Sequence, residues 1–327
     1  MSDTDHIAQW SIGVDVGGTK VAAGLVNERG EMGRHLRVPM NPRGTAEEGF
    51  AAVTSVLDAL LQSSRPASAG IPIGVCAPGP LDPRTGLVLN PPNVPCWRNF
   101  PLIAEIHRRY GVAARLDNDA NAAALAESLW GAGRGYANVF YACIGTGIGT
   151  GIVLDGKIFH GRTGSAAEGG HVSIDYRGPA CGCGKQGCIE ALASGTAIAR
   201  RTREALAKHP EQGAQLLAMA NGNAPEIRSE MVGRAAGTGD ALARQLLTET
   251  VEYLAIWLGN IVDLLEPEVM ILGGGVSEML QPHFGELQAR LKHWCVNTRC
   301  DQIPLLPAHY GENSGIAGGA ALCSLRD

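Results

Sequence analysis

The chain has no run of about 18 uncharged apolar residues, the length a membrane-crossing helix needs. Its first residues, Met-Ser-Asp-Thr-Asp-His, are acidic with no apolar core behind them, so no secretory leader is read there. Positive charge is also scarce. With 27 Lys and Arg against 32 Asp and Glu the net charge is −5, which leaves no electrostatic footprint for nucleic acid. An even cysteine framework is missing too: six of the nine cysteines are scattered, mostly in apolar runs, and read as buried free thiols. Neither common nucleotide fingerprint is present in its proper context, as shown below. These absences point to a cytoplasmic globular protein, and 327 residues with 45% hydrophobic and 18% charged side chains suit two domains.

Glycine is abundant, 44 residues without a collagen-like period, which predicts tight turns and ligand loops lined by backbone. The densest such stretch is 164–195. Cys181, Cys183 and Cys188 fall within eight residues there, with His171 ten residues before Cys181 and Glu168 three before that. Three thiolates and one imidazole complete a tetrahedral zinc shell with no position left for water, the pattern of a structural site. The alternative is three reduced thiols in a glycine-rich loop. A nucleic-acid-binding zinc ribbon wants two Cys-x-x-Cys knuckles, and there are none. Glu168 and Glu190 bracket the cluster, so a metal-pinned loop would bring both carboxylates towards one place.

Residues 11–27 read as strand, glycine turn and strand, with Asp15, Gly17, Gly18, Thr19 and Lys20 at the tip. Backbone N–H groups, a hydroxyl and an ammonium suit a phosphate, and the carboxylate suits Mg²⁺ through water. The order of residues fails the Walker A pattern. A third strand to Val38, a helix over 44–61 and a strand over 71–77 follow, the last running into Pro78-Gly79-Pro80. The Pro-rich segment 90–97 is a loop, 100–110 a helix and 112–116 a strand. Beyond it, Asp117-Asn118-Asp119 opens an Ala-rich helix, and Asp119 is read either as its cap or as a base presented at the strand end. A strand over 138–144 breaks into Gly145-Thr146-Gly147-Ile148-Gly149-Thr150-Gly151 and resumes to Leu154. Thr150 occupies the last glycine place of Gly-x-Gly-x-x-Gly and a strand follows, so the dinucleotide reading fails. The segment instead echoes the first hairpin about 130 residues earlier, which implies an internal duplication with phosphate held between the two turns. Helices are expected over 191–208, in pieces over 227–265 broken near Gly237-Thr238-Gly239, over 279–294 and over 313–325. A strand over 268–272 feeds Gly273-Gly274-Gly275.

Glu168-Gly-Gly-His171 followed by Cys181-Gly-Cys183-Gly-x-x-Gly-Cys188-x-Glu190 resembles the signature of the ROK family of bacterial sugar kinases and sugar-responsive repressors. Asp15-x-Gly17-Gly18-Thr19-Lys20 resembles the first phosphate loop of actin-like ATPases and sugar kinases. Together the likeness covers about residues 10 to 325. It implies an α/β, two-lobed actin-like (ribonuclease-H-like) fold with an interdomain cleft. One lobe would be 1–119 with the C-terminal helix 313–327, the other 120–312 with the zinc loop. The implied activity is phosphorylation of a hexose by ATP with Mg²⁺. Asp119 would take the sugar proton, while Asn118, Glu168, His171, Glu190 and the backbone at Gly79 hold the sugar. Asp15 would lie near the Mg²⁺. The 15–20 loop with Gly145, Thr146 and Gly147 would hold the phosphates, and Gly274 and Gly275 the adenosine. His171 would act twice, as sugar contact and as fourth ligand of the structural Zn²⁺ beside Cys181, Cys183 and Cys188. Zinc loss would then loosen the sugar site and spare the nucleotide loops.

Glucose is the expected hexose, from the likeness of Gly178-x-x-Cys181-Gly-Cys183-Gly-x-x-Gly-Cys188 to ROK glucokinases. N-acetylmannosamine or N-acetylglucosamine is the alternative, and a sugar-sensing regulator without catalysis a third reading. A repressor would carry a basic helix-turn-helix, on the order of 70 residues, ahead of the first phosphate loop. Only about ten residues, acidic ones, precede that loop. Expected partners are the hexose and ATP, with no nucleic acid and no membrane, in a homodimer or homotetramer.

Overall fold

A computed structural model describes residues 9–63 and 70–325. In chain order it has β1 (Trp10–Val16), β2 (Lys20–Asn27), β3 (Met32–Pro39), α1 (Ala46–Ser63), β4 (Ile73–Ala77), β5 (Leu81–Asp82), β6 (Leu87–Val88), α2 (Leu102–Tyr110), β7 (Ala114–Asn118) and α3 (Asp119–Leu129). Next come β8 (Val139–Ile144), β9 (Ile148–Leu154), β10 (Lys157–Ile158), α4 (Ile189–Ala193), α5 (Gly195–Lys208), α6 (Ala214–Met219), α7 (Ser229–Gly237) and α8 (Ala241–Leu265). The last elements are β11 (Val269–Gly273), α9 (Gly275–Leu280), α10 (Phe284–Arg290), β12 (Leu305–Pro307) and α11 (Ser314–Leu322).

The first sheet has the order β3-β2-β1-β4-β7, the second β10-β9-β8-β11-β12. In the first, β1, β2 and β3 pair antiparallel, whereas β4 and β7 join parallel to β1. In the second, β11 pairs parallel with both β8 and β12. A meander followed by parallel crossovers is the ribonuclease-H-like pattern, and it occurs twice. The duplication read from two glycine turns is therefore a duplication of the whole sheet.

Packing divides the chain into two units. The first runs to Ala137, takes in Gly151–Ala167 and resumes at His309; the second is Asn138–Thr150 with Glu168–Ala308. The boundary expected at 119/120 falls later, because α3 packs on α11 inside the first unit. Small residues make that contact close: a Cβ at Gly318 would lie 2.7 Å from the backbone carbon of Ala122. The same helix lies against the sheet, where a Cβ at Gly74 would meet the carbonyl oxygen of Gly319 at 1.7 Å. Ile12, Val14, Val56, Leu57, Ile73, Val75 and Trp97 form the first unit's main core, all without solvent exposure. In the second unit Phe140 and Trp257 meet edge to face at 5.6 Å between centroids and are buried.

Two helix expectations are corrected. The run over 191–208 is two helices, α4 and α5, parted at Ser194, whose Oγ caps α5 by accepting from Ala197 N–H at 3.2 Å. The helix over 279–294 is two short helices, α9 and α10, joined by a 3-10 turn at Gln281–His283, because Pro282 cannot donate to the ladder. The strand β12 and the β5–β6 hairpin are too short to show a period. The break expected near Gly237-Thr238-Gly239 is where α7 ends, and α8 then runs for 25 residues from an Asp240 cap, whose carboxylate accepts from Ala243 N–H at 2.8 Å. Among the described residues no helix is long and apolar enough to cross a membrane.

Candidate functional site

In the first unit the polar chemistry gathers where β1 turns into β2 and where β7 runs into α3. Gly17 N–H donates to the Lys20 carbonyl at 2.9 Å and closes the turn. Gly18 is required there, since a Cβ would lie 2.7 Å from the carbonyl oxygen of Asn93. A cavity of about 430 Å³ opens against this turn, and its lining includes Asp15, Gly18, Thr19, Arg43, Asn93 and Asp119. Gly17 lines it too, whereas Lys20, exposed at the start of β2, does not. Four prolines complete the wall and stiffen it. Tertiary structure thus brings the first glycine turn and Asp119 to one space.

Asp15 stands half-buried beneath the turn. Burial pushes its carboxyl up, against the opposing Cys76 thiol, whose sulfur lies 3.7 Å from Oδ1, and the charges of Lys20 and Arg37. A carboxylate held there against its own desolvation fits a hydrated cation, so Asp15 suits Mg²⁺.

The β7–α3 turn presents Asn118 and Asp119. Asn118, and not Asp119, is the cap: its Oδ1 accepts from Ala120 N–H at 2.9 Å. Asp119 is the first helical residue, exposed, with Oδ1 accepting from the same N–H at 2.8 Å. Gly79 adjoins this turn, since its Cβ would sit 3.7 Å from Asn118 Nδ2. Beneath it Asp117, 2% exposed, accepts from Asn118 N–H at 2.7 Å and from Asn121 Nδ2 at 3.1 Å. His160 Nε2 approaches its second oxygen at 2.5 Å.

In the second unit the turn 145–147 is closed by Gly145 N–H donating to the Gly147 carbonyl at 2.9 Å. The start of α5 holds it from outside: Gly195 N–H donates to the Gly145 carbonyl at 2.8 Å, and Thr196 Oγ1 to the Thr146 carbonyl at 2.9 Å. Gly274 sits at φ 86° directly against Ile144, whose carbonyl a Cβ would meet at 2.5 Å; Gly275 opens α9 with open space around it.

The cysteine loop folds back on itself. Cys181 N–H donates to the Lys185 carbonyl at 2.8 Å, and Ser173 pairs with Cys188. Gly187, at φ 63°, lies so close to Asp175 that no Cβ fits. One ligand atom each from His171, Cys181, Cys183 and Cys188 lies within 4.8 Å of all the others. The imidazole turns Nδ1 to the cluster, 3.6 Å from the Cys181 sulfur. Burial and the two neighbouring thiols push the Cys188 thiol up to about 12 and burial raises Cys181, whereas a hydrogen bond from the Lys185 backbone lowers Cys183. Three soft donors and one imidazole in that geometry fit zinc, which would take them as thiolates.

His171 ends a 3-10 turn, Gly169–His171, braced from two sides. Gly169 N–H donates to Thr150 Oγ1 at 2.8 Å, and Trp257 Nε1 donates to the Gly169 carbonyl at 3.0 Å. Glu168 enters this turn exposed, while Glu190 faces its end. Glu190 Oε1 lies 3.9 Å from His171 Nδ1 and 3.8 Å from the Cys181 sulfur, while Oε2 accepts from Ile148 N–H at 2.9 Å. One carboxylate therefore spans the cysteine loop and the second glycine turn.

The ROK family model matches residues 11–325. The chain belongs to the ROK family. Among its relatives, a glucokinase of Thermotoga maritima is 34% identical over 96% of this chain and 97% of its own length. An N-acetylmannosamine kinase of Escherichia fergusonii is 30% identical over 95% and 97%. A crystal structure of a ROK family glucokinase from Streptomyces griseus, in complex with glucose and AMPPNP, matches with a TM-score of 0.79 at 34% identity, covering 96% of this chain and 98% of that one. The α/β, actin-like fold implied by the motifs is thus the fold of this ROK protein.

Sequence reading overlooked Arg43, Asn93, Asp117 and His160. Arg43 follows β3 in a Pro-Arg-Gly loop without local pattern, and among the described residues its guanidinium makes no ion pair. Asn93 lay in a segment recognised only as a Pro-rich loop. His160 is 43 residues from its partner Asp117, beyond any local rule.

Proposed function

We propose that this ROK protein transfers the γ-phosphoryl group of ATP to a hexose, with glucose phosphorylated at its 6-hydroxyl. The observation that carries the reading is the convergence of Asp119, Asp15 and the Gly17–Thr19 turn on one cavity. Support comes from glucokinase relatives at about a third identity over nearly the whole chain, one of them crystallised with glucose and an ATP analogue.

Asp119 accepts the proton of the attacking hydroxyl. The Ala120 N–H on Oδ1 fixes the plane of its carboxylate. A strong base is unnecessary, because phosphoryl transfer passes through a loose transition state in which the nucleophile's proton leaves late. Asn118 offers its amide N–H to a sugar hydroxyl while Oδ1 caps the helix, and the Gly79 backbone lies within reach of the same group. Glu168, His171 and Glu190 complete the sugar contacts. Backbone N–H groups of 17–19 and 145–147, with Lys20, hold phosphate oxygens, and Arg43 supplies the cavity's guanidinium. Gly274 and Gly275 leave room for the adenosine. Mg²⁺, held by Asp15 through water, would neutralise charge on the phosphates. Zinc on His171, Cys181, Cys183 and Cys188 would supply structure only, leaving His171 Nε2 for the sugar.

A coupled ADP-release assay over glucose, N-acetylmannosamine and N-acetylglucosamine tests the reading. Glucose is expected to give the highest kcat/KM. An acetamido sugar tenfold better than glucose would replace the assignment by the second reading, which the N-acetylmannosamine kinase relative favours. ADP release with none of the three would remove the proposed function.

A further inference from the structure

Asp117 is the least exposed carboxylate near the candidate site, and it is claimed by three donors from three places. Oδ1 takes the backbone N–H of Asn118 at 2.7 Å and the side-chain amide of Asn121 at 3.1 Å; Oδ2 faces His160 Nε2 at 2.5 Å. The first two donors belong to the turn that displays Asn118 and Asp119. The third comes from the segment after β10, about a third exposed, and among the described residues is the one side-chain hydrogen-bond partner of this carboxylate from outside β7 and α3. Ala166 N–H donates to the His160 carbonyl at 3.2 Å, and Gly164 beyond it packs against Pro83, so this segment is itself fastened.

From this geometry we infer that His160, through Asp117, positions the β7–α3 turn and so aims Asp119. The inference rests on the reading of Asp119 as the base. Without His160 one oxygen of this buried carboxylate loses its partner, and the group is driven to turn towards water. That turn withdraws Oδ1 from Asn118 N–H, and the residue next to Asp119 loses the bond that fixes its backbone. Proton transfer needs the base within hydrogen-bond reach, and a misplacement of about 1 Å costs on the order of 10²-fold. His160 is then a positioning residue, touching neither sugar nor phosphate.

Three variants of the full chain test this: His160→Ala, His160→Arg and Asp119→Asn. His160→Ala should lower kcat for glucose by roughly 10- to 100-fold with KM for ATP within about threefold of wild type. His160→Arg, which restores a cationic donor, should recover kcat to within about threefold. A His160→Ala enzyme with wild-type kcat, or an Arg variant as slow as the Ala variant, overturns the inference. Amide hydrogen exchange reads the same point without catalysis: protection across 117–121 should fall at least about tenfold in His160→Ala and return in His160→Arg. Unchanged protection also overturns it. If wild type phosphorylates no sugar, or Asp119→Asn keeps full turnover, the functional reading has failed instead, and the exchange result still judges the positioning role.

Discussion

The two glycine turns have nearly the same local chemistry but are held in different ways. The turn at 17–19 follows a seven-residue antiparallel register, Trp10↔Asn27 to Val16↔Val21, and is backed by main chain: β1 lies under α11, and Gly18 lies on Asn93. Its carboxylate, Asp15, belongs to its own strand. The turn at 145–147 leans on side chains and helix starts, and its carboxylate, Glu190, arrives from the helix that follows the cysteine loop. A turn set on backbone tolerates little change. One latched by a side chain bends, and it inherits the state of whatever holds the latch. The first suits chemistry, the second coupling.

The comparison is sharpest at Asp119, which shares the cavity of the rigid turn. Asp119→Asn keeps the size and one acceptor, yet removes the basic lone pair. We expect kcat to fall by at least about 10²-fold, with sugar Kd changed far less. Steady-state kinetics beside calorimetric titration decide it, and near-wild-type turnover would return Asp119 to a merely structural place at the head of α3.

The next effect tests the latch. Wild type should carry about one zinc per chain, from one four-ligand site, and Cys181→Ser little. Sugar Kd should then rise at least about tenfold, as for a lost metal-ordered first contact. Sequence reasoning expected nucleotide affinity to be spared. Because Glu190 touches both Cys181 and Ile148 N–H, ATP Kd should instead rise modestly, about two- to fourfold, the scale of one weakened hydrogen bond. A metal-free variant that binds sugar normally would separate the cysteine loop from the site altogether.

A matched pair of glycine substitutions compares the turns directly. Gly18→Ala drives a methyl into the Asn93 carbonyl oxygen at 2.7 Å, and backbone cannot step aside. It should cost roughly 1–3 kcal/mol of stability and weaken ATP strongly. Gly147→Ala meets only the end of the Glu190 side chain, at 2.5 Å, which can swing. Its stability loss should stay below about 1 kcal/mol, with ATP KM raised a fewfold. Equal effects in melting and kinetics would erase the distinction between the two turns.

The smallest effect is on pH. The Asp117 hydrogen bond raises the His160 pKa from its ordinary 6.5; burial and the Arg84 charge oppose, and the Asp117 charge adds to the rise. A raised folded value means the pair's contribution is complete below about 6.5 and is lost as pH rises through the folded value. Melting temperature should therefore decline slightly with pH above that point. His160→Gln should flatten the decline, and an unaltered slope would place its origin elsewhere.

Much of the fold and the candidate site was legible in the chain. Strand–glycine–strand patterns marked both glycine turns, because alternation of apolar residues and a glycine tip are local signals. The Cys181–Cys188 spacing marked the cluster that His171 joins in the fold, since three soft donors in eight residues have few other uses. The Ala-rich run marked α3 and the strand end before it.

The sequence by itself determined the residue types at each turn, the clustering of three cysteines and the repeated order of strands, because these depend on neighbours within about ten positions. Tertiary structure alone decided which Asx residue caps α3, since that depends on the backbone angle at Asn118. It also decided that α3 belongs with α11, through small residues that let two helices touch. Only the folded chain brings Arg43 and Asn93 to the cavity of Asp119, His160 to Asp117, and Glu190 to Ile148. Those partners lie tens of residues apart, and no local period or propensity records a contact made by packing.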